Sequence, residues 1–194
     1  MLYTTKMLLE RFRDYGNPQD KIKRECEAGR LVRIIKGLYE DDPRQDPTRL
    51  AAYLYSPSYI SFEHVLSLHG LIPEHVQAVT CASFGKNRTK LYQTAFGVFQ
   101  YHDVPKTVFP LSVDSREEDG YLVLQATPEK ALCDELYYLP QVRTQREFRE
   151  LLFDDLRIDA EAFSSLDRAR LRSLAPAYRR SNLNLLQRFL EVSP

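Results

Sequence analysis

The stretch "ATPEKALCDELYYL", residues 126–139, contains a fully specified start for an α-helix. Thr127 can cap the helix with its hydroxyl, Pro128 fits the first helical position because its missing N–H needs no partner there, and Glu129 suits the positive end of the helix dipole. The following positions recur at helical spacing and predict a helix that packs on the sheet before it: Ala131, Leu132, Glu135, Leu136 and Leu139.

Lys130 and Asp134 lie four residues apart in this helix. Side chains at that spacing meet on one helix face, so we expect an ion pair on the exposed side, worth only about a few tenths of a kcal/mol. The stretch is therefore predicted to serve the architecture of the protein rather than its chemistry.

Short β-prone runs separated by turn residues precede this helix, and they predict a mostly antiparallel sheet of four or five strands. The runs are "QAVTCAS" (77–83), "TKLYQTA" (89–95), "GVFQYHD" (97–103), "KTVFPLSV" (106–113) and "GYLVLQA" (120–126). Helical periodicity then returns over residues 144–156, about 159–173 and about 178–192. Strands followed by helices indicate an α+β domain.

Two short helices and a crossing segment are predicted ahead of the strands. "RLAAYLYSP", residues 49–57, indicates a helix that ends before its proline, and Ser61 is expected to cap the helix of "FEHVLSLHG", residues 62–70. The segment "EDDPRQDPT", residues 40–48, contains two prolines and four acids, which is typical of a linker or a surface crossing between domains.

The first 28 residues predict two helices. Apolar residues at helical spacing place the first over about residues 4–15, and Gly16 ends it. Asn17 can cap the second, which runs over about residues 18–28 until Gly29 stops it.

A hairpin follows these helices. "RLVRIIKGLYE", residues 30–40, predicts two short strands joined by a tight turn at Lys36-Gly37. Two helices and a basic hairpin form the outline of a small winged helix. The predicted fold class is therefore α+β, with a winged-helix DNA-binding domain over residues 1–42 and an α+β domain of mostly antiparallel sheet and C-terminal helices over residues 49–194.

Charge is distributed unevenly, although the formal net charge is zero. Residues 1–39 contain nine Lys/Arg and five Asp/Glu, whereas the remainder contains 18 and 22. Six bases of the second helix and the hairpin can follow the phosphates of a nucleic acid: Lys21, Lys23, Arg24, Arg30, Arg33 and Lys36. Alternatively, the same bases form a solvated face that is partly paired with Glu25 and Glu27.

Cysteine usage and hydropathy predict a cytoplasmic protein. Cys26, Cys81 and Cys133 lie far apart and have no paired spacing, which fits a reducing compartment rather than a disulfide framework or a zinc site. No apolar run approaches 18 residues, so no membrane partner is expected.

No constellation of catalytic residues emerges from the sequence. His64, His69 and His75 are spaced by five and six residues, which does not place them on one helix face as a metal site requires. The chain has neither a Gly-x-Ser-x-Gly elbow nor a glycine-rich phosphate loop. We therefore predict a protein that is not an enzyme and that binds no metal and no cofactor.

Four stretches carry a resemblance to a known family: "GLY" (37–39), "PSYISFEHVLSLHGL" (57–71), "VT" (79–80) and "ATPEKALCDELYYL" (126–139). Together, in this order, they resemble the AbiEi antitoxins, the antitoxin halves of type IV toxin–antitoxin and abortive-infection (phage-defence) modules of bacteria. The resemblance extends over about residues 20–140.

The resemblance implies two functions for the chain. An N-terminal winged helix would bind the promoter DNA of its own operon as a repressor, and a C-terminal domain would counteract a nucleotidyltransferase-like toxin without a stable complex. It implies no catalytic residue, and it assigns the DNA contact to the six bases named above. Family members usually have one more helix before the recognition helix, so the trimmed module here is expected to bind unaided only weakly, or as two copies side by side.

Two other classes of function remain open at the level of sequence. The protein can be an interaction module whose basic end binds RNA or an acidic protein. Alternatively, the C-terminal domain can have a degenerate nuclease-like activity in which Asp134 or Glu135 takes part.

Overall fold

The computed structural model describes residues 1–192, with the backbone alone for Val192; Ser193 and Pro194 of the predicted second domain lie outside the described residues. The α+β class is confirmed. The strands are β1 (Leu2–Thr4), β2 (Val32–Ile35), β3 (Leu38–Glu40), β4 (Ser58–Ile60), β5 (Val79–Ser83), β6 (Lys90–Thr94), β7 (Gly97–Asp103), β8 (Val113–Glu118) and β9 (Tyr121–Ala126). The helices are α1 (Thr5–Arg11), α2 (Pro18–Glu27), α3 (Pro47–Leu54), α4 (Phe62–Leu68), α5 (Pro128–Tyr138), α6 (Gln145–Glu150, continued by a π-helical turn over Leu151–Asp155), α7 (Ala160–Ser164), α8 (Arg168–Tyr178) and α9 (Ser181–Val192).

The first five elements form a unit of residues 2–40, called the N-terminal unit below. Its three strands make an antiparallel sheet in the order β1-β3-β2. The predicted hairpin is confirmed, with its turn at Lys36-Gly37, and Gly37 has a φ of 91°, which suits a residue without a side chain.

Strand β1 is missing from the sequence prediction, and the first helix is shorter than predicted. Three residues are too few to show strand alternation, and Thr4 serves as the cap of α1, its side chain accepting the Met7 N–H at 3.3 Å. The helix ends at Arg11 because the N–H of Arg13 bonds three residues back, to Glu10, which is turn geometry.

The small sheet is covered on both faces. Toward α1 and α2 it encloses an apolar cluster of Leu8, Ile22 and Leu31. On the opposite face, Ile34 and Leu38 join the large core of residues 47–192, called the body below. The N-terminal unit is thus packed against the body by its hairpin.

The body contains a six-stranded sheet in the order β6-β7-β5-β4-β9-β8. The prediction of a mostly antiparallel sheet is confirmed only in part, because the sheet is mixed: three pairings of its described strands are antiparallel, whereas β5 pairs with β7, and β4 with β9, in parallel. The parallel pair β5–β7 arises because the hairpin β6–β7 places its second strand, not its first, beside β5.

Two differences in the strands have local causes. β4 ("SYI", 58–60) was not predicted, because a three-residue strand buried on all positions shows no alternation. Residues 106–113 were predicted as a strand, yet the strand begins only at Val113, because Pro110 cannot donate to a sheet ladder and the segment before it turns at Pro105.

Helix α5 is the centre of the helical layer. Its predicted cap is confirmed, with the Lys130 N–H donating to the Thr127 hydroxyl at 3.3 Å. The helix packs against α4, α8, α9 and strand β9. The helix predicted over about residues 159–173 is instead two helices, α7 and α8, because Asp159 and Asp167 each cap a new helix start. None of the described helices is both long and apolar enough to cross a membrane.

Lys130 and Asp134 of α5 do form an ion pair, at 2.8 Å, but the prediction that it lies on the exposed side is wrong. Both side chains are 0% exposed. A buried pair loses the hydration of both ions, so its energy depends on the hydrogen bonds that complete it. The spacing of four residues predicted the pair and could not predict its environment.

Three hydroxyl groups complete this buried pair. Tyr59 and Ser61 donate to Asp134 Oδ2 at 2.9 and 2.7 Å, and Tyr178 donates to Oδ1 at 2.6 Å while accepting from the Lys130 ammonium. Burial, and then the charge of Asp134, raise the pKa of both tyrosines well above the ordinary value. The network therefore connects α5 to β4, to the residue after it and to α8.

The network also explains why Ser61 does not cap α4 as predicted. Ser61 occupies the N-cap position, but its side chain makes no cap hydrogen bond. Its hydroxyl points instead to Asp134, because Ser61 and Tyr59 are two residues apart and project from the same face of the strand.

We predict that Asp134→Asn destabilises the protein by about 3–5 kcal/mol, because it leaves the Lys130 ammonium buried without its counter-charge. Urea unfolding monitored by circular dichroism measures the loss. Arg146→Met is the matched control, since it removes one partner of the exposed pair Arg146–Glu150 at the same spacing and should cost less than about 0.5 kcal/mol. A similar small loss in both variants would contradict a structural role for the buried pair.

Candidate nucleic-acid interface

The predicted phosphate-contacting residues all lie on the N-terminal unit, and the structure brings α2 and the hairpin together. Lys21, Lys23 and Arg24 are on α2, Arg30 lies between α2 and β2, Arg33 is on β2, and Lys36 is in the hairpin turn. Helix α2 starts as predicted: Pro18 is at its first position and the Asn17 side chain accepts the Asp20 N–H at 3.2 Å.

Glu25 forms ion pairs with two of the six bases, Lys21 and Arg30. Its carboxylate accepts from Lys21 Nζ at 2.7 Å and from Arg30 Nε and Nη2 at 2.5 and 3.0 Å. These hydrogen bonds, that of Arg30 first, hold the pKa of Glu25 at about 2, below its usual 4.5. Lys21 also lies 4.8 Å from the ring centre of Tyr15, so it is bound on two sides within the protein.

Lys23 pairs only loosely. Its ammonium lies 3.8 Å from Glu27, and both side chains are largely exposed, so water screens the interaction. The pairing with Glu25 and Glu27 expected for a solvated face therefore applies to Lys21, Lys23 and Arg30.

Arg24, Arg33 and Lys36 are exposed and belong to none of the ion pairs formed within residues 1–192. Burial raises the pKa of the Cys26 thiol on α2, and the positive charge of Arg33 on strand β2 partly opposes this increase. Exposed bases thus occur both on helix α2 and on the hairpin, and Arg33 lies close enough to α2 to influence Cys26. With Lys23, these three residues form what we call the basic surface.

The position of the N-terminal unit on the body is fixed by a buried carboxylate. Glu40 is 0% exposed, and Tyr121 of β9 donates to its Oε2 at 2.7 Å. The N–H groups of Asp41 and Asp42 donate to its Oε1 at 3.1 and 3.2 Å. Burial, and then the contact with Glu40, raise the pKa of Tyr121. Sequence reasoning placed Glu40 where the hairpin meets the crossing segment, and its burial was not predicted because nothing local distinguishes it from the acids beside it.

The histidines and cysteines lie apart. His64 Nδ1 lies 3.2 Å from the carbonyl oxygen of Ala78, and His102 packs against the ring of Tyr138 with centroids 4.1 Å apart. The three cysteines are free thiols. Within residues 1–192 no three His, Cys, Asp or Glu side chains are grouped as a metal ion requires.

No protein-family model matches the chain, and no curated protein is significantly similar to it. The resemblance to the AbiEi antitoxins therefore depends on the four quoted stretches.

Two of those stretches meet in the structure. Tyr59 and Ser61 of residues 57–71 donate to Asp134 of residues 126–139, in the buried network described above. The stretches that carry the resemblance are thus in direct contact across α5 and β4.

We predict that Glu25→Gln lowers the melting temperature at neutral pH, since it removes a charge held by two bases. The folded pKa of about 2 lies below the ordinary 4.5, so the contribution of Glu25 is complete above pH 4.5 and disappears as the pH falls toward 2. Calorimetry should therefore show the difference from wild type shrinking between about pH 5 and about pH 3. Glu27→Gln, in a loose exposed pair, should differ little at any pH, and a Glu25→Gln deficit that is independent of pH would contradict the assignment.

Proposed function

We propose that the protein is a cytoplasmic, promoter-binding autorepressor whose N-terminal unit is a small winged helix, and that the same chain is the antitoxin of a type IV toxin–antitoxin module. One observation carries the DNA-binding half: helix α2 and the hairpin of one strand–helix–helix–hairpin unit both have exposed bases, of which Arg24, Arg33 and Lys36 form no ion pair within residues 1–192. The resemblance to the AbiEi antitoxins supports the antitoxin half.

In this proposal α2 is the recognition helix. Ten residues of α-helix are roughly 15 Å long. An α-helix with its side chains is about 10–12 Å in diameter, which fits the DNA major groove of about 12 Å width. Lys23 and Arg24 then face the DNA from the helix, while Arg33 and Lys36 reach the flanking phosphates from the hairpin. Lys21 and Arg30 have a supporting role, because their bonds to Glu25 connect the helix to the start of the hairpin.

The small size of this surface favours binding by two copies. Four phosphate contacts give a slope of log affinity against log salt of roughly −3.6, and a pair of copies on inverted half-sites doubles it. Two half-sites one helical turn apart, roughly 34 Å, would place both recognition helices on one side of the duplex.

The antitoxin half belongs to the body in this proposal. The body carries the quoted stretches other than "GLY", and the network around Asp134 joins two of them into one packed module. Its partner in function is a nucleotidyltransferase-like toxin encoded beside it, which it counteracts without a stable complex.

We predict that the triple variant Arg24/Arg33/Lys36→Ala loses at least tenfold in affinity for the duplex upstream of its own gene, because three exposed phosphate contacts are removed. Fluorescence anisotropy at two salt concentrations measures both affinity and salt slope, and the slope should become less negative by roughly 2.7 for each bound copy. Arg143/Arg179/Arg188→Ala removes as much charge from exposed positions of the body and should bind like wild type.

A scrambled duplex of the same length distinguishes the rival classes in this experiment. Wild-type protein that binds both duplexes equally, or prefers RNA, would identify a general nucleic-acid or interaction module. Equal losses in the two triple variants would show that net charge, not the basic surface, attracts the DNA, and would overturn the proposed interface.

A further inference from the structure

A cleft of about 490 Å³ opens in the body between α4, α5 and the strands β5 and β7. Two acidic residues line it from different helices, Glu63 from α4 and Glu135 from α5. Its apolar walls are formed by Leu66, Ile72, Val76, Leu139 and Leu156. This cleft is separate from the basic surface of the N-terminal unit.

The carboxyl group of Glu135 is buried without a partner. Its side chain lines the cleft and the residue is 3% exposed, yet no hydrogen bond reaches its Oε2 atom from the described residues. The same holds for the buried Oε2 atom of Glu63. Burial, and then the charges of Glu63 and Asp134, raise the pKa of Glu135 to about 8. Unpaired buried carboxyl groups are costly, so their retention in a cleft calls for a partner group.

The charge of the cleft selects the sign of that partner. Two further acids, Glu74 and Asp155, stand at its rim, and no Lys or Arg is among the lining residues. Arg157, a base that contacts the lining residue Glu74, is paired with that acid at 2.8 Å. A cleft lined by one sign of charge on apolar walls concentrates ions of the opposite sign.

The chemistry of the walls selects an organic cation. A bound calcium or magnesium ion takes six or more oxygen ligands, and no three acidic, histidine or cysteine side chains of residues 1–192 are grouped for a metal ion. An ammonium or guanidinium group at the end of a methylene chain fits both the acidic residues and the apolar walls of the cleft. The charged head would contact the carboxylates, and the methylene stem would contact the leucines of the wall.

The geometry points to a binding site for a primary ammonium or guanidinium group on an apolar stem, with Glu135 and Glu63 as the paired acceptors. Such a group is carried by a free polyamine or by a Lys or Arg side chain of a polypeptide. This inference goes beyond the proposed autorepressor and antitoxin functions and does not depend on either.

The test is an NMR titration of the full chain with n-butylammonium chloride at pH 8.5, where the Glu135 carboxyl is largely ionised. We expect amide shift changes confined to the residues of α4, α5 and the cleft rim, and a fall in the pKa of Glu135 measured on its side-chain carboxyl carbon. The neutral isostere 1-butanol should cause neither effect. Absence of binding by n-butylammonium, or equal effects from 1-butanol, would overturn the inference.

Two variants and a control assign the contact. Glu135→Gln and Glu63→Gln should each weaken n-butylammonium binding at least tenfold, whereas Glu117→Gln, on the exposed face of edge strand β8, should leave it within twofold. Glu135→Gln should also fold at least as stably as wild type above pH 4.5, because a raised folded pKa makes the native carboxyl a growing liability as the pH rises toward 8. Unchanged binding in both glutamine variants would overturn the assignment.

The source of the cation is decided by two further probes. Spermidine represents the free polyamine, and an N-acetylated, C-amidated Gly-Lys-Gly tripeptide represents the polypeptide side chain. Tighter binding of one identifies the source, and failure of both, together with n-butylammonium, would reject the site.

Discussion

The buried ion pair of Lys130 and Asp134 is the interaction on which the rest of the body depends. Two ions without water are tolerable only when their hydrogen-bonding groups are satisfied, and here the partners come from distant parts of the chain. Tyr59 and Ser61 fix β4 and the start of α4, and Tyr178 fixes α8. A helix of ordinary propensity thereby determines where a central strand and a C-terminal helix are placed.

One local pattern has three different outcomes in this chain, which shows what sequence can and cannot predict. An acid and a base four residues apart occur as Lys130–Asp134, fully buried, as Lys21–Glu25, partly buried beside Arg30, and as Arg146–Glu150, exposed. The spacing predicts each contact. Its environment is set by residues far away in sequence, so neither the importance of the first pair nor the neutralisation of Lys21 can be inferred locally.

The same distinction applies to the fold and to the candidate sites. Helix starts at Asn17 and Thr127, and the hairpin turn at Lys36-Gly37, are local and were predicted correctly. The three-residue strands and the parallel pairings escaped prediction because they depend on which strands become neighbours. The six bases were predicted as a set, but Glu25 pairs with two of them, Lys21 and Arg30. Helical spacing placed Glu135 on the packed face of α5, but the cleft that it lines with Glu63 could not be predicted, because its walls come from residues distant in sequence.

The body therefore contains a buried ion pair, whereas the N-terminal unit has exposed bases without ion-pair partners within residues 1–192, a division that suits the two proposed functions. The most direct measurement is the growth of cells that express the toxin gene neighbouring this one, supplied with the wild type or with Arg24/Arg33/Lys36→Ala from an independent promoter. The account predicts equal restoration of growth by both proteins, because the proposed antitoxin function belongs to the body and does not require the basic surface. No restoration by the wild type, or its loss in the variant, would contradict the account.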